Sequence, residues 1–142
     1  MKKNALMLCL IVLFPLVSCN REAGVVKEFD LGPFRVTVPR GWRHEKGQGY
    51  DSQIGKLTKG KNLLHYDFGW HAYRFTKETS DTHDRQNIEI DGKPALLVRP
   101  LKSGTGVMGV HIQVDQMNRL TIYGNNITDE ATAKAIFESV RF

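Results

Sequence analysis

From residue 34 onward, apolar side chains recur at every second position along most of this chain. Phe34, Val36 and Val38 alternate with Arg35 and Thr37. Met108, Val110, Ile112 and Val114 alternate with Gly109, His111 and Gln113, and Leu120 and Ile122 alternate with Thr121 and Tyr123. A period of two sends successive side chains to opposite faces of a strand, so each run predicts a strand with one buried face. A helical period occurs at the end of the chain. Ala133, Ile136, Phe137 and Val140 fall at i, i+3, i+4 and i+7 and make one apolar stripe. Thr128 stands where an N-cap belongs, with Asp129 and Glu130 in the first turn, where the helix dipole favours acids. The pattern predicts an α+β fold: an antiparallel sheet packed against a C-terminal helix.

Turn chemistry separates the strands. Pro39-Arg40-Gly41-Trp42 ends the first. Lys59-Gly60-Lys61-Asn62 follows a short strand over residues 54–58. Asp91-Gly92 sits between Ile88, Ile90 and the apolar return at residues 95–98, a strong hairpin signal. Ser103-Gly104-Thr105-Gly106 and residues 115–118 mark two more turns. Residues 43–54 are polar and glycine-bearing and predict a long loop; so do residues 76–86, which contain no apolar residue. Within residues 63–75, Leu64, Tyr66, Phe68, Trp70 and Ala72 share one face by alternation. His65, Asp67, Gly69, His71 and Tyr73 share the other.

The start of the chain has a different character. Lys2 and Lys3 precede an apolar run over residues 5–14, the layout of a secretory signal. The run is too short to span about 30 Å of hydrocarbon, which takes about twenty apolar residues. It ends in Leu16-Val17-Ser18-Cys19, which resembles the lipobox of bacterial lipoproteins. The resemblance implies diacylglycerol on the Cys19 thiol, cleavage before Cys19 and membrane attachment through the acyl chains. It divides the chain into a signal peptide (1–18), a lipidated tether (19–28) and one antiparallel-sheet domain (29–142). Asn20 is not the aspartate that retains such lipoproteins in the inner membrane. The expected location is therefore the periplasmic face of the outer membrane.

A second resemblance covers residues 34–142. A strand ending in Val38-Pro39-Arg40-Gly41-Trp42, a run of antiparallel strands, and a last helix closing on Ile136-Phe137-Glu138-Ser139-Val140-Arg141-Phe142 look like the small PsbP-like domains. The resemblance implies an α/β/α sandwich and a role in binding or assembling other proteins. It brings no shared catalytic residues.

Composition narrows the chemistry. Cys9 lies in the signal and Cys19 is the lipidated residue, and the chain has no other cysteine. The domain is thus expected without disulfides, thiol catalysis or cysteine-bound metal, and its stability must come from a hydrophobic core. With Lys2 and Lys3 removed, eighteen basic side chains face fifteen acidic ones. This mixed, weakly basic balance implies no nucleic-acid partner.

Several constellations compete as sites. His65, Asp67 and His71 suit zinc by chemistry, but six strand residues span about 20 Å, whereas ligands converge within about 2 Å of the ion. Glu78, Asp81, His83 and Asp84 offer oxygen-rich ligands for calcium without the EF-hand pattern. Gly49 and Gly55 are misspaced for a phosphate-binding loop, and Ser52 lacks the Gly-x-Ser-x-Gly frame. The basic side chains Arg40, Arg43, Lys46, Lys56, Lys59 and Lys61, offset by Glu45 and Asp51, suit a charged rim or a surface for anionic headgroups. Trp42, Tyr50 and Trp70 are candidate recognition aromatics, with Trp70 expected in the core beside Phe68 and Tyr66.

These readings converge on a lipid-anchored binding or accessory module without catalysis, cofactor or metal. Its partner would be an envelope protein, polymer or small ligand, bound through the loop over residues 43–54 and the polar sheet face near His65 and Asp67, with Trp42, Tyr50 and Asp51 among the candidate contacts. The alternative is a small metal-assisted hydrolase using His65, Asp67 and His83.

Overall fold

A computed structural model of the chain describes residues 26–142. The signal, Cys19 and the first part of the tether lie outside the described residues. Nine strands and one helix follow in order: β1 (Val26–Asp30), β2 (Arg35–Pro39), β3 (Arg43–Lys46), β4 (Gln53–Lys59) and β5 (Asn62–Gly69). Then come β6 (His83–Ile90), β7 (Lys93–Pro100), β8 (Val107–Gln113), β9 (Arg119–Asn125) and α1 (Glu130–Glu138). Strand β1 begins at Val26, so the domain takes in the end of the stretch read as tether.

β1 and β2 form a two-stranded sheet, and the other seven strands form one antiparallel sheet in the order β3-β4-β5-β9-β8-β7-β6. Two meanders, β3-β4-β5 and β6-β7-β8-β9, meet where β9 pairs with β5. Every sequential link within this sheet joins neighbours except the link from β5 to β6. That link crosses four strand spacings, about 19 Å at about 4.8 Å each.

The core lies on one face. Leu57, Leu64, Tyr66, Leu120, Ile122, Val110, Ile112 and Leu97 project from the sheet toward Phe34, Val36 and Val38 of the hairpin and Ala133, Ile136 and Phe137 of the helix. The predicted alternations of β2, β8 and β9 are the ones that bury. Ser139 clamps the helix end to β2: its Oγ accepts from the Thr37 amide at 2.9 Å and donates to the Thr37 carbonyl at 3.0 Å. The helix starts one residue later than its sequence signal. Asp129, not Thr128, is the N-cap and accepts from the Thr132 amide. The Asp91-Gly92 hairpin forms as expected, with both residues at positive φ (50° and 72°).

Two expected loops contain strands. Residues 43–46 are β3, paired with β4, and residues 83–86 open β6, paired with β7. Both are edge strands. Their outer sides meet water, so they carry charge instead of an alternating apolar set.

The second face of the sheet is covered by the β5–β6 connector, residues 70–82, and not by a helix. One helix is present among the described residues, so the second helical layer implied by the PsbP-like resemblance is absent there. The connector is tied down through its carbonyls. Trp70 O accepts from Arg119 at 2.9 Å, Tyr73 O accepts from the Thr121 hydroxyl at 2.7 Å, and Phe75 O accepts from Arg85 at 2.9 Å. Ala72 and Phe75 are buried against this face. Gly109 makes room: a Cβ there would fall 2.6 Å from the Phe75 ring.

Candidate functional site

A groove of about 440 Å³ opens on the second face, over β3, β4, β5 and β9. Registers build it. His65 of β5 lies between Lys56 of β4 and Tyr123 of β9, and Asp67 lies between Ile54 and Thr121. Glu45 of β3 pairs in register with Lys56, and their side chains form an ion pair at 3.0 Å. Tyr73 comes in from the connector as a wall.

The lining is aromatic and charge-balanced. The His65 ring stacks on Tyr123, with centroids 5.5 Å apart and an interplanar angle of 28°. Tyr73 donates its hydroxyl to Glu78 at 2.7 Å, so the ring is what it can offer a ligand. Burial, then the hydrogen bond to Glu78, holds that phenol above its ordinary value. Glu45 and Asp67 supply two carboxylates; Lys46 and Lys56 supply two ammoniums. Asp67 Oδ1 is closed off from solvent and has no hydrogen-bond partner among the described residues. An orphan buried acceptor costs about 1–3 kcal/mol, so its retention asks for an explanation.

Beneath the groove, Tyr66 Oη and His44 Nε2 are 2.8 Å apart. Gly55 permits this, because a Cβ there would fall 2.4 Å from the Tyr66 hydroxyl. Burial raises the Tyr66 phenol, and burial followed by the neighbouring Lys46 charge lowers the His44 imidazole. Farther along the same face, His111 Nδ1 lies 2.9 Å from Tyr73 O. The same nitrogen lies 2.9 Å from the Thr121 hydroxyl, so His111, Thr121 and Tyr73 O form one hydrogen-bonded cluster.

The residues singled out in the sequence separate into three places. His65 and Asp67 share the groove. Tyr50 and Asp51 lie exposed in the β3–β4 turn and line a shallow basin that also includes Phe68 and Trp70. Trp42 is 5% exposed and belongs to the core, so it is no recognition aromatic. Trp70, expected in the core, is 46% exposed and carries the Arg119 guanidinium 4.5 Å from its ring. The two tryptophans have exchanged roles because β5 ends at Gly69 and Trp70 starts the connector.

His83 does not join His65 and Asp67. It lies on β6, at the far edge of the sheet, with Nε2 3.0 Å from Val107 O. No group of three or more His, Cys, Asp or Glu side chains able to hold a metal occurs among the described residues. Glu78, one of the calcium candidates, is buried and bonded to Tyr73. None of the groove residues is Ser, Thr or Cys, and the hydroxyls in its lining are the phenols of Tyr66, Tyr73 and Tyr123.

Lys56, Tyr73 and Tyr123 escaped the sequence reading of the site, whereas Glu45 falls within the stretch over residues 43–54 expected to bind. Alternation already put Tyr73 on the face of His65 and Tyr123 opposite Ile122. That β9 lies beside β5 is a long-range pairing with no local signal. The chain matches no protein-family model and no curated protein sequence.

Proposed function

We propose that this protein is a lipid-anchored, non-catalytic binding module of the bacterial envelope, attached through Cys19 and facing the periplasm. Its groove takes a small uncharged polar ligand, or a short uncharged stretch of an envelope polymer. The observation that carries the reading is the groove itself, about 440 Å³ and walled by the rings of Tyr73 and Tyr123, with the half-buried Asp67 carboxylate in its lining. A groove of this size lies within the range of small-molecule sites. Two carboxylates against two ammoniums leave little preference for either sign of ligand charge. The ring faces of Tyr73 and Tyr123 offer apolar contact, and Asp67 offers a hydrogen-bond acceptor.

The test is a thermal-shift screen of the full chain against uncharged polyols, amides and sugars, repeated with Asp67→Ala. A ligand present at a hundred times its Kd stabilises by about 2.7 kcal/mol. The expected result is a ligand whose shift disappears in Asp67→Ala. No shift with any compound, or an equal shift in the variant, rejects the groove. Mass spectrometry tests the anchor separately: the mature chain should begin at an acylated Cys19, and Cys19→Ala should release it from membranes.

A further inference from the structure

The strand registers sort the turns of the domain into two ends. Val26, where the described chain begins, pairs with Pro39. Arg40 follows at once, and the side chain of Lys59 passes Gly41, whose built Cβ would lie 3.3 Å from Lys59 Cε. Arg43 pairs with Thr58, and Lys59 pairs with Asn62 across the turn that holds Lys61. The chain therefore enters the domain beside four exposed cations: Arg40, Arg43, Lys59 and Lys61. None of the four is in an ion pair among the described residues. Four acids share this end, two of them, Asp81 and Asp84, at the far edge of the sheet, where Asp84 is paired with Arg99. Asp129 is engaged as the helix cap, and Glu130 follows it. The turns at the opposite end carry exposed Asp30, Asp51, Asp91 and Asp115.

We infer that the Arg40, Arg43, Lys59 and Lys61 end is a docking surface for anionic phospholipid headgroups, which orients the domain with its aspartate-bearing turns away from the bilayer. Two independent features point the same way. The first is charge: the cations cluster, whereas the domain as a whole is nearly balanced. The second is chain entry: seven residue steps from Cys19 to Val26 reach at most about 25 Å. A domain attached by that segment presents the end where the segment enters. Clustered lysine and arginine side chains close to a bilayer are drawn to its negative surface potential, which fades over about 8 Å at physiological salt. The lipid-facing end and the groove are distinct. Arg40, Lys59 and Lys61 are not in the groove lining, and the groove lies on the second sheet face.

The orientation rests on the anchor at Cys19 proposed above, but attraction to anionic headgroups rests on charge and is tested without the acyl chains. All core residues lie between Leu31 and Val140, and a chain beginning at Asn20 keeps the whole core. That chain, checked for its fold by circular dichroism, is co-sedimented with phosphatidylglycerol vesicles and with phosphatidylcholine vesicles at 50 mM salt. It should bind the first at least tenfold better and release at 0.5 M salt. Lys59→Glu with Lys61→Glu should weaken binding at least tenfold. Lys93→Glu with Arg141→Glu, equal in charge and at the opposite end, should change it less than threefold. Absence of binding to phosphatidylglycerol overturns the inference. Equal losses from the two pairs overturn it as well, because attraction would then follow net charge and not this end. Neither outcome bears on acylation of Cys19, which mass spectrometry decides.

Discussion

Replacing Phe75 tests whether one side chain holds the connector to the sheet. Phe75 is fully buried, and its ring meets Tyr73 edge-on, with centroids 5.4 Å apart. Truncating a buried phenylalanine to alanine typically destabilises by about 3–5 kcal/mol. A second effect is separable from the first. Phe75 has φ 55°, in the left-handed region, where a Cβ costs about 1–2 kcal/mol. Phe75→Gly removes the same ring and also relieves that strain. It should therefore be more stable than Phe75→Ala by about 1 kcal/mol, the reverse of the usual order. The chain has two tryptophans, one in the core and one at the head of the connector. Urea unfolding followed in Trp42-only and Trp70-only backgrounds thus reads both regions. Phe75→Ala should lower Tm by roughly 10–20 °C for a domain of this size. Both reporters should register the change, Trp70 first if the connector detaches before the core melts. A loss below about 1 kcal/mol, or a glycine variant less stable than the alanine variant, refutes the role given to this residue.

Three further outcomes follow from the same structure. Burial holds His111 below its ordinary value of 6.5, the Tyr73 carbonyl opposing and Arg74 and Arg119 adding to it; burial also lowers His44. Between the folded and unfolded values the unfolded chain binds more protons. This stability is therefore present above about pH 6.5 and is lost as pH falls through the folded values. Urea midpoints should drop from about pH 7.5 to about pH 5, and His111→Gln, which keeps a donor for Tyr73 O, should flatten the slope. Asp67→Thr removes an unsatisfied buried oxygen and should leave stability unchanged or raise it by about 1 kcal/mol, while ligand shifts in the groove disappear. Asp129→Ala should cost about 1 kcal/mol in chemical denaturation, whereas Thr128→Ala should stay within about 0.5 kcal/mol, because Asp129 is the residue that caps the helix.

The site was only partly legible before folding. His65 and Asp67 share a face in any strand, because the period of two is a local property. The groove needs Glu45, Lys56, Tyr73 and Tyr123 as well, and these come from three other strands and a connector. Their meeting depends on β9 lying beside β5, a pairing between residues fifty or more positions apart. His83 illustrates the converse. Its chemistry matches His65, yet the strand order puts it at the far edge.

Alternation at Phe34, Val36, Val38, Met108, Val110, Ile112, Leu120 and Ile122, together with the stripe from Ala133 to Val140, determined the α+β class. Side-chain direction in a strand or helix follows from backbone geometry alone. The tight turns at Asp91-Gly92 and Lys59-Gly60 were equally local. Tertiary structure decided the rest. The edge strands β3 and β6 exist because a neighbour satisfies their amides and carbonyls, a requirement that leaves no hydrophobic pattern. Trp42 is buried and Trp70 exposed because burial depends on what covers a residue, and the cover comes from distant parts of the chain.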